Sequence, residues 1–410
     1  MCLPFASGAA ATVSVAEQAS LQAAVTAAAP GDVLRLLPGV HAGPVVIDRP
    51  LTLEGEPGAV IRGDGRGSVV TVRAPDVVVR GLVITGSGLD LQRMDAGVFL
   101  ESGALRARVE DDDIRDNLVG VYVHGAAGAE VLRNRITGRR DLRLNEAGNG
   151  VFVWNAPGAK VVGNDIRYGR DGIYTISSRD NLFADNRMRD LRYGVHYMYT
   201  NDSEVSGNIS IGNHGGFAIM YSDRLKVSGN LSVGDRDQGL LFNYANSSEI
   251  SGNVVEGAPV KCVFLFNANK NRFHGNRFEG CEIGIHFTAG SERNEIWGNA
   301  FIANRTQVKY VGTRFLDWSK DGRGNFWSDN PAFDLDGDGI ADTAYRPNDL
   351  VDEVLWQAPS AKLLLNSPAV QVIRWAQAQF PALYPGGVVD SAPLMAPPAI
   401  ATPVWHEAAP

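Results

Sequence analysis

One predicted strand of this sequence carries a histidine and a methionine that could bind a soft metal ion. His196 and Met198 lie in the run Tyr193-Gly-Val-His-Tyr-Met-Tyr199, and Met220 follows Met198 after 22 residues, the period of a repeat in this chain. Residues two apart on a strand share a face about 6–7 Å apart, and neighbouring strands lie about 5 Å apart. Imidazole and thioether ligands together favour Cu(I) over hard cations. Such a site would hold copper transiently, as a carrier does, whereas the same methionines also suit a protein-docking surface.

A second candidate metal site is the acidic run Asp334-Leu-Asp-Gly-Asp-Gly-Ile-Ala-Asp342. Its spacing places oxygen ligands at positions 1, 3, 5, 7 and 9 of an EF-hand-like calcium loop. These ligands are Asp334, Asp336, Asp338, the Ile340 carbonyl and Asp342. Tyr345 stands where the loop would need an acid at position 12, so another acid such as Asp352 would have to close the site. We predict a structural Ca²⁺ that ties down an irregular segment.

A repeat of 22–23 residues supplies the frame for these candidates. Its first half places a glycine before two apolar residues that are two apart, and its second half places an apolar residue three before an asparagine. The glycines are Gly97, Gly120, Gly150, Gly172, Gly194, Gly216, Gly239 and Gly284, with Lys261 in the equivalent place between the last two. The asparagines are Asn134, Asn164, Asn186, Asn208, Asn230, Asn253, Asn276 and Asn299, and an insertion near Arg139–Gly148 lengthens one interval.

Apolar residues two apart with variable residues between them indicate strands with one buried face. Strands that recur at this period predict an all-β fold, a right-handed parallel β-helix in which each coil pairs with the next. The asparagine column should turn inward and satisfy backbone groups at the corners of the coils.

Outward-facing positions between the buried residues form a stripe of aromatic, methionine and histidine side chains. The stripe includes Tyr122, His124, Phe152, Trp154, Tyr174 and His286. Because the fold does not require an apolar stripe on its outside, the pattern favours a contact surface. The same rings could stack on sugars, which leaves a carbohydrate-acting β-helix enzyme of the uronate lyase or epimerase type as an alternative. A docking scaffold that binds no metal is a third possibility.

Catalysis by a β-helix lyase or hydrolase would need paired carboxylates or a basic residue on the outward face. Glu101 is the one acid in the two outward columns that flank the buried positions. The cluster Asp111-Asp112-Asp113 falls at a turn where Asp112 takes the place of a ladder asparagine. We therefore predict that the protein is not an enzyme.

Charge and hydropathy exclude two further classes. The 410 residues carry a net charge of -8 and no basic run, which argues against nucleic-acid binding. No apolar run approaches the ~18 residues of a membrane span, so the chain should not itself cross a membrane.

The three cysteines are Cys2, Cys262 and Cys281. Cys262 falls in a column counted as inward and is interpreted as a small buried hydrophobe. Cys281 is out of register with Cys262, so a disulfide between them is possible but is not the favoured interpretation. The cysteine count by itself does not fix the compartment.

The ends of the chain are predicted to cap the β-helix, which spans residues 15–315. Residues 1–14 resemble the tail of a signal peptide, which indicates export. A helix over Val15–Ala29, followed by the short strands Val33–Leu37, Val45–Ile47, Leu51–Leu53 and Ala59–Ile61, resembles the cap and first coils of pectin-lyase-like β-helices. Residues 316–410 should form an irregular C-terminal cap with helices at Leu350–Leu355 and Pro368–Gln377, the second apolar enough to dock on the last coil or on a partner.

Several runs together resemble the NosD family of periplasmic copper-binding β-helix proteins. They are Tyr193–Tyr199, Gly216-Phe-Ala-Ile-Met-Tyr221, Gly324-Asn-Phe-Trp-Ser-Asp329, Asp334–Gly339, Ser367-Pro-Ala-Val370 and Asp390-Ser-Ala-Pro-Leu-Met395. The resemblance implies a periplasmic protein of a denitrifying bacterium that takes part in assembling the copper–sulfide centre of nitrous-oxide reductase. It further implies an ABC transporter permease and ATPase as partners, a copper chaperone as metal donor, and the reductase itself as a further partner. It does not say which residues hold copper.

Overall fold

The computed structural model describes residues 10–258, 260–288, 290–312, 314–364, 367–380 and 387–403. The chain separates into two compact units, Met1–Lys226 and Val227–Pro410. Both units are built from coils of a parallel β-helix, and each coil contributes one strand to each of three parallel sheets. The predicted fold class is confirmed. The predicted boundary at residue 315 remains a prediction, and most of the predicted leader lies outside the described residues.

The strands of the first unit fall into three sheets, and the residue bounds follow in chain order. The first sheet contains Thr12–Val15, Val33–Leu36, Thr52–Gly55, Val78–Arg80, Arg108–Glu110, Glu130–Leu132, Lys160–Val162, Leu182–Ala184 and Glu204–Ser206. The second contains Val45–Ile47, Val70–Val72, Ala96–Leu100, Val119–His124, Val151–Trp154, Asp171–Ile176, Tyr193–Met198 and Gly215–Met220. The third contains Gly39–Ala42, Ala59–Arg62, Val83–Thr85, Asp113–Arg115, Arg135–Thr137, Asp165–Arg167, Arg187–Arg189 and Ile209–Ile211.

The second unit is also built from three-strand coils, and the strand Lys226–Ser228 begins at the last residue of the first unit. Strands of the first-sheet type are Glu249–Ser251, Arg272–His274 and Glu295–Trp297. Strands of the second-sheet type are Gln238–Asn243, Lys261–Phe266, Ile283–Thr288 and Thr306–Val311. Strands of the third-sheet type are Leu231–Val233, Val254–Glu256, Arg277–Glu279, Ala300–Ile302 and Phe326–Trp327, and a separate pair joins Phe315–Asp317 to Gly387–Val389.

The glycine column exists because its position faces the third sheet at close range. A Cβ added to Gly172 would lie 2.5 Å from the carbonyl oxygen of Gly194 and 2.9 Å from Cγ of Met188. Any larger side chain there would have to displace backbone or core atoms, so glycine is the residue that fits.

The asparagine column forms the buried ladder that its spacing predicts. The backbone N–H of Asn164 donates to Oδ1 of Asn186 at 3.0 Å, and Nδ2 of Asn164 donates to the same oxygen at 2.9 Å. Nδ2 also donates to the carbonyl of Val131 at 3.0 Å. Asp112 takes the place of an asparagine one coil before Asn134, and its Oδ1 accepts the backbone N–H of Leu82. The side chain of Asp112 is a buried part of a turn, as predicted, and not an exposed catalytic acid.

The register at Cys262 differs from the prediction by one residue. Leu240 pairs with Val263, and Val263 pairs with Ile285, so Cys262 and not Lys261 takes the glycine place. A shift of one residue exchanges the two faces of a strand. Val263 is therefore buried, whereas Phe264 and Phe266 face outward.

The same register explains a disulfide that the sequence did not favour. Cys262 is bonded to Cys281, and their Cα atoms are 5.7 Å apart. In the first unit, the glycine place at Gly172 faces Leu191 of the next coil, 19 residues later, and the two cysteines have the same separation of 19 residues. The expectation of an unbonded, hydrophobe-like Cys262 was wrong because it rested on the wrong register.

The N-terminal cap differs in extent from the prediction. The helix spans Leu21–Ala27 and begins after Ser20, whose side chain accepts the N–H of Ala23 at 3.2 Å. The preceding residues Thr12–Val15 form a strand that pairs with Val33–Leu36. Pairing supplies hydrogen-bond partners to the edge of the first coil, so Val15, the first residue of the predicted helix, is extended rather than helical.

The C-terminal cap contains two helices, Leu350–Gln357 and Pro368–Gln379, with a 3₁₀-helix Pro359–Leu364 between them. Both helices occur where they were predicted. Asp390 joins two of the runs that resemble the NosD family, because its Oδ2 accepts the backbone N–H of Asn325 at 2.6 Å and the indole Nε1–H of Trp327 at 2.7 Å. Within the described residues, no helix is long and apolar enough to cross a membrane.

Candidate metal site

His196 is held by a buried ion pair on the outward side of the second sheet. Its Nδ1 atom lies 3.1 Å from Oδ2 of Asp171, a residue on the preceding coil. Arg192 donates from Nε to Oδ1 of Asp171 at 2.8 Å and from Nη2 to Oδ2. Asp171 is 1% exposed and His196 is 8% exposed, so these contacts are shielded from water.

The electrostatics of this cluster define the tautomer of His196. Burial by itself would raise the pKa of Asp171, but hydrogen bonds from His196 and Arg192 lower it overall, so the carboxyl group is ionised at neutral pH. Nη2 of Arg192 lies 3.2 Å from the same Nδ1, but its hydrogen bond to Asp171 is the shorter one. An ionised carboxylate only accepts, so the proton resides on Nδ1 and Nε2 carries the lone pair.

The Nε2 atom of His196 is the unsatisfied atom of this cluster. It is buried and has no hydrogen-bond partner in the part of the chain that the structure describes. A buried polar atom without a partner is costly and requires an explanation, such as an ion that binds there. A carboxylate on one ring nitrogen and a free lone pair on the other is the arrangement found at metal-binding histidines.

Two methionines lie next to His196 on the same face of the sheet. Met198 is two residues further along the strand, and Met220 is its direct partner on the following coil. The Tyr174 hydroxyl lies 3.6 Å from the Sδ atom of Met198. Both methionines are partly buried. The candidate ligand set therefore combines one imidazole nitrogen with two thioether sulfurs, which fits a soft monovalent metal ion.

A ladder of stacked rings leads to His196 from the preceding coils. Neighbouring ring centroids are 4.8–5.0 Å apart along Phe99, Tyr122, Phe152, Tyr174 and His196. The ladder ends there because Ala218 takes the next place in register.

Loops cover part of the stripe that the sequence predicts as a contact surface. Tyr122 is 8% exposed and Phe152 is 6% exposed. Leu91 and Met94, from the loop before Gly97, and Leu142, from the insertion, pack against the cluster that contains these rings. Tyr122 and Phe152 are thus part of a second apolar core outside the coil, contrary to the expectation of an exposed surface.

The remaining stripe residues are more accessible. His124 stacks on Trp154 with ring centroids 4.4 Å apart, and Trp154 is 37% exposed. His286 stacks on Phe264 at 4.8 Å in the second unit. Burial and the positive charges of Lys309 and Lys261 lower the pKa of His286 to about 4. Because two cations face it, His286 is a poorer candidate for a copper ligand than His196.

The predicted calcium loop brings three carboxylates together. Ligand oxygens of Asp334, Asp336 and Asp338 lie within 4.8 Å of one another. Asp342 is engaged differently, because its Oδ2 accepts the backbone N–H of Leu335 at 2.8 Å. Asp352 forms a capping box at the start of the helix Leu350–Gln357, so it is committed elsewhere and does not close the loop.

Sequence reasoning missed Asp171 and Arg192. Asp171 directly precedes a column glycine, at a position that lies outward because the glycine beside it turns inward. The residues at this position are Ala96, Val119, Asn149, Asp171, Tyr193, Gly215, Gln238, Lys261, Ile283 and Thr306. Asp171 is the one acid among them, and a survey of this third outward column would have identified it.

The coils place this chain among the parallel β-helix proteins. The exopolygalacturonase of Yersinia enterocolitica has the same fold, with a TM-score of 0.54 and 10% identity over 71% of this chain and 73% of that one. A likeness at this identity concerns the fold alone.

Sequence comparison identifies the family. The family model described as "Periplasmic copper-binding protein (NosD)" matches residues 132–332. A "Probable ABC transporter binding protein NosD" of Stutzerimonas stutzeri is 41% identical over 375 residues, which covers 88% of this chain and 86% of that protein. The protein of the same name from Pseudomonas aeruginosa is 44% identical over 413 residues, covering 89% and 88%. The chain belongs to the NosD family.

Proposed function

We propose that this protein is a periplasmic, non-catalytic copper carrier that works with an ABC transporter in assembling the copper–sulfide site of nitrous-oxide reductase. The family description and the names of the relatives support copper binding, a periplasmic location and an ABC transporter partner. The disulfide between Cys262 and Cys281 is in keeping with an oxidising compartment.

The observation that carries the proposal is the orphaned Nε2 of His196. Asp171 fixes the ring so that this lone pair points away from the carboxylate, and Met198 and Met220 supply soft sulfur ligands on the same face. Copper is the cargo of this site. Two soft thioether sulfurs and one imidazole nitrogen, with Asp171 already paired to Arg192 behind the ring, suit a Cu(I) ion that is bound and then released.

A Cu(I) competition titration against a chromogenic chelator tests the site. The test variant is Met198→Leu/Met220→Leu, because leucine removes the sulfur and keeps the volume. Met395→Leu is the matched control, since Met395 is 38% exposed on the C-terminal cap. We expect tight binding by the wild type and the control, and loss of it in the double variant. Tight binding that persists in the double variant would place the metal elsewhere, with His124 the next candidate.

No copper binding by the wild type would contradict the carrier function. The metal-free scaffold would then be the better explanation. Saturable binding or eliminative cleavage of an oligouronate would instead favour the carbohydrate-acting alternative.

The C-terminal cap is the proposed docking surface for the ABC transporter, which consists of a permease and an ATPase. On the helix Pro368–Gln379, Val372 is 62% exposed and Trp375 is 63% exposed. An apolar cavity of about 190 Å³ opens between the helices of this cap, lined by residues that include Val354, Leu364 and Ile373. Exposed apolar area of this kind marks interaction surfaces.

Co-purification of the tagged protein with the permease and ATPase tests the docking surface. Val372→Glu/Trp375→Glu should abolish co-purification, whereas the copper affinity stays unchanged. Leu335→Glu is the control, because Leu335 is 83% exposed in the acidic loop. If the permease and the ATPase co-purify with Val372→Glu/Trp375→Glu as well as they do with the wild type, docking uses another surface. The copper chaperone and the reductase can be tested as further partners with the same variants.

A further inference from the structure

His286, a histidine of the second unit, lies near two positively charged lysines. His286 and Lys309 are direct partners on adjacent coils, and Phe264 is the partner of His286 on the other side. Lys261 lies on the strand of Phe264, and its Nζ atom is 4.9 Å from the centroid of that ring. The two lysines therefore flank one imidazole from the coils before and after it.

Neither lysine is neutralised by a carboxylate within the described residues. Other lysines of this chain are paired with acids: Lys320 lies 2.6 Å from Glu295, and Lys160 lies 3.0 Å from Glu130. No comparable ion pair involves Lys261 or Lys309 among the residues that the structure describes. Both positive charges act on His286 without a carboxylate of the described residues paired to either, and an anion bound at the imidazole would be attracted by both.

His286 adds a neutral hydrogen-bond donor to the two charges. Its Nδ1 atom is buried without a hydrogen-bond partner in the described part of the chain. Burial and the nearby Lys309 and Lys261 lower the pKa of His286 to about 4, so the ring is neutral at physiological pH. A neutral imidazole can donate one N–H to an acceptor that the lysines attract.

The arrangement corresponds, with inverted charge, to the one at His196. Asp171 precedes His196 by 25 residues and holds its ring from the preceding coil. Lys261 precedes His286 by the same interval in the sequence, at the same place directly before the column position. The negative charge of Asp171 favours a cation near His196, and the positive charge of Lys261 favours an anion near His286.

We propose that Lys261, His286 and Lys309 form a binding site for a small anion with at least two acceptor atoms, such as an inorganic oxyanion or a carboxylate. The two ammonium groups supply charge-assisted hydrogen bonds, and the imidazole supplies a neutral one. This site is separate from the copper ligands and does not depend on the proposed copper function.

Titration of the His286 ring resonances by NMR tests the site directly. Sodium sulfate and sodium acetate serve as probes at constant ionic strength, and His274, which contacts Glu249 on another sheet, serves as the internal reference. We expect a saturable shift of His286 and none of His274. Saturation by sulfate alone identifies an oxyanion site, and saturation by acetate alone identifies a carboxylate site. A linear response to both probes would overturn the proposal.

Charge-removing variants show whether the lysines carry the binding. Lys261→Met and Lys309→Met keep the apolar stem, and each should weaken binding about tenfold or more, which corresponds to one lost charge-assisted hydrogen bond. Lys320→Met is the control and should leave the affinity unchanged. Each test variant should also raise the pKa of His286 from about 4, because a facing positive charge is removed. Unchanged affinity, or an unchanged pKa in both variants, would contradict the proposed arrangement.

Discussion

Oδ2 of Asp171 lies 3.1 Å from Nδ1 of His196, although the two residues are on different coils. The contact turns an ordinary outward-facing histidine into one with a defined tautomer and a free lone pair on Nε2. It also makes Asp171 a positioning residue for the proposed copper site, because it acts on the metal only through the imidazole.

Replacing Asp171 should weaken copper binding without removing a ligand. Asp171→Asn removes the charge that fixes the Nδ1–H tautomer, and we expect Cu(I) affinity to fall about 10–100-fold. The chelator titration measures the affinity, and ¹⁵N shifts of the His196 ring measure the tautomer. Asp165→Asn is the control, since Asp165 contacts Arg189 on the third sheet. Loss of affinity with an unchanged tautomer would contradict a positioning role.

The ladder residue Asp112 should make stability depend on pH. Burial holds its pKa well above the usual range, and its Oδ2 has no hydrogen-bond partner among the described residues. The stabilising protonated form is fully present below the unfolded pKa of about 3.9 and is lost as pH rises through the raised folded pKa. Asp112→Asn restores the ladder amide, so its advantage over wild type should grow with pH to about 1 kcal/mol or more.

Urea unfolding at pH 4 and pH 8 measures this difference. Asp113→Asn is the control, because Asp113 is only partly buried beside Arg115. If Asp112→Asn raises the free energy of unfolding by the same amount at both pH values, its effect is not linked to proton release from Asp112.

The disulfide should stabilise the second unit substantially. It closes a loop of 19 residues, for which loss of the bond costs about 3 kcal/mol.

Restoring the residue pair that occurs at Gly172 and Leu191 tests the register at Cys262 more sharply. Cys262→Gly/Cys281→Leu should have a higher urea midpoint than Cys262→Val/Cys281→Leu, since a branched side chain at the glycine place meets the next coil. The reverse order would contradict the assignment of Cys262 to the glycine column.

Calcium should stabilise the C-terminal cap if the acidic loop binds it. Asp334 accepts the N–H groups of Gly339 and Gly337, which lower its pKa and hold the loop closed. Millimolar Ca²⁺ should raise the melting temperature by at least about 2 °C, by binding only to the folded state. Asp334→Asn/Asp338→Asn should abolish the rise, and Asp321→Asn should preserve it. A shift that survives in the double variant would locate the calcium effect elsewhere.

The sequence alone determined the architecture of this protein, because the repeat records which residues each coil must bury. The glycine and asparagine columns predict the parallel β-helix and its polar ladder, since close backbone approach and corner hydrogen bonds require those residue types. The same columns identify His196, Met198 and Met220 as neighbours, because one period separates the two methionines.

Tertiary structure decided the details that depend on contacts between coils. The period by itself does not give the pairing of Asp171 with His196, the one-residue register at Cys262 or the burial of Tyr122 under loops from other parts of the chain. The first two depend on which side chains face outward next to the glycine position. The burial of Tyr122 depends on how the loops fold over the sheet. A shift of one residue there exchanges the inner and outer faces, and periodicity by itself does not resolve that shift.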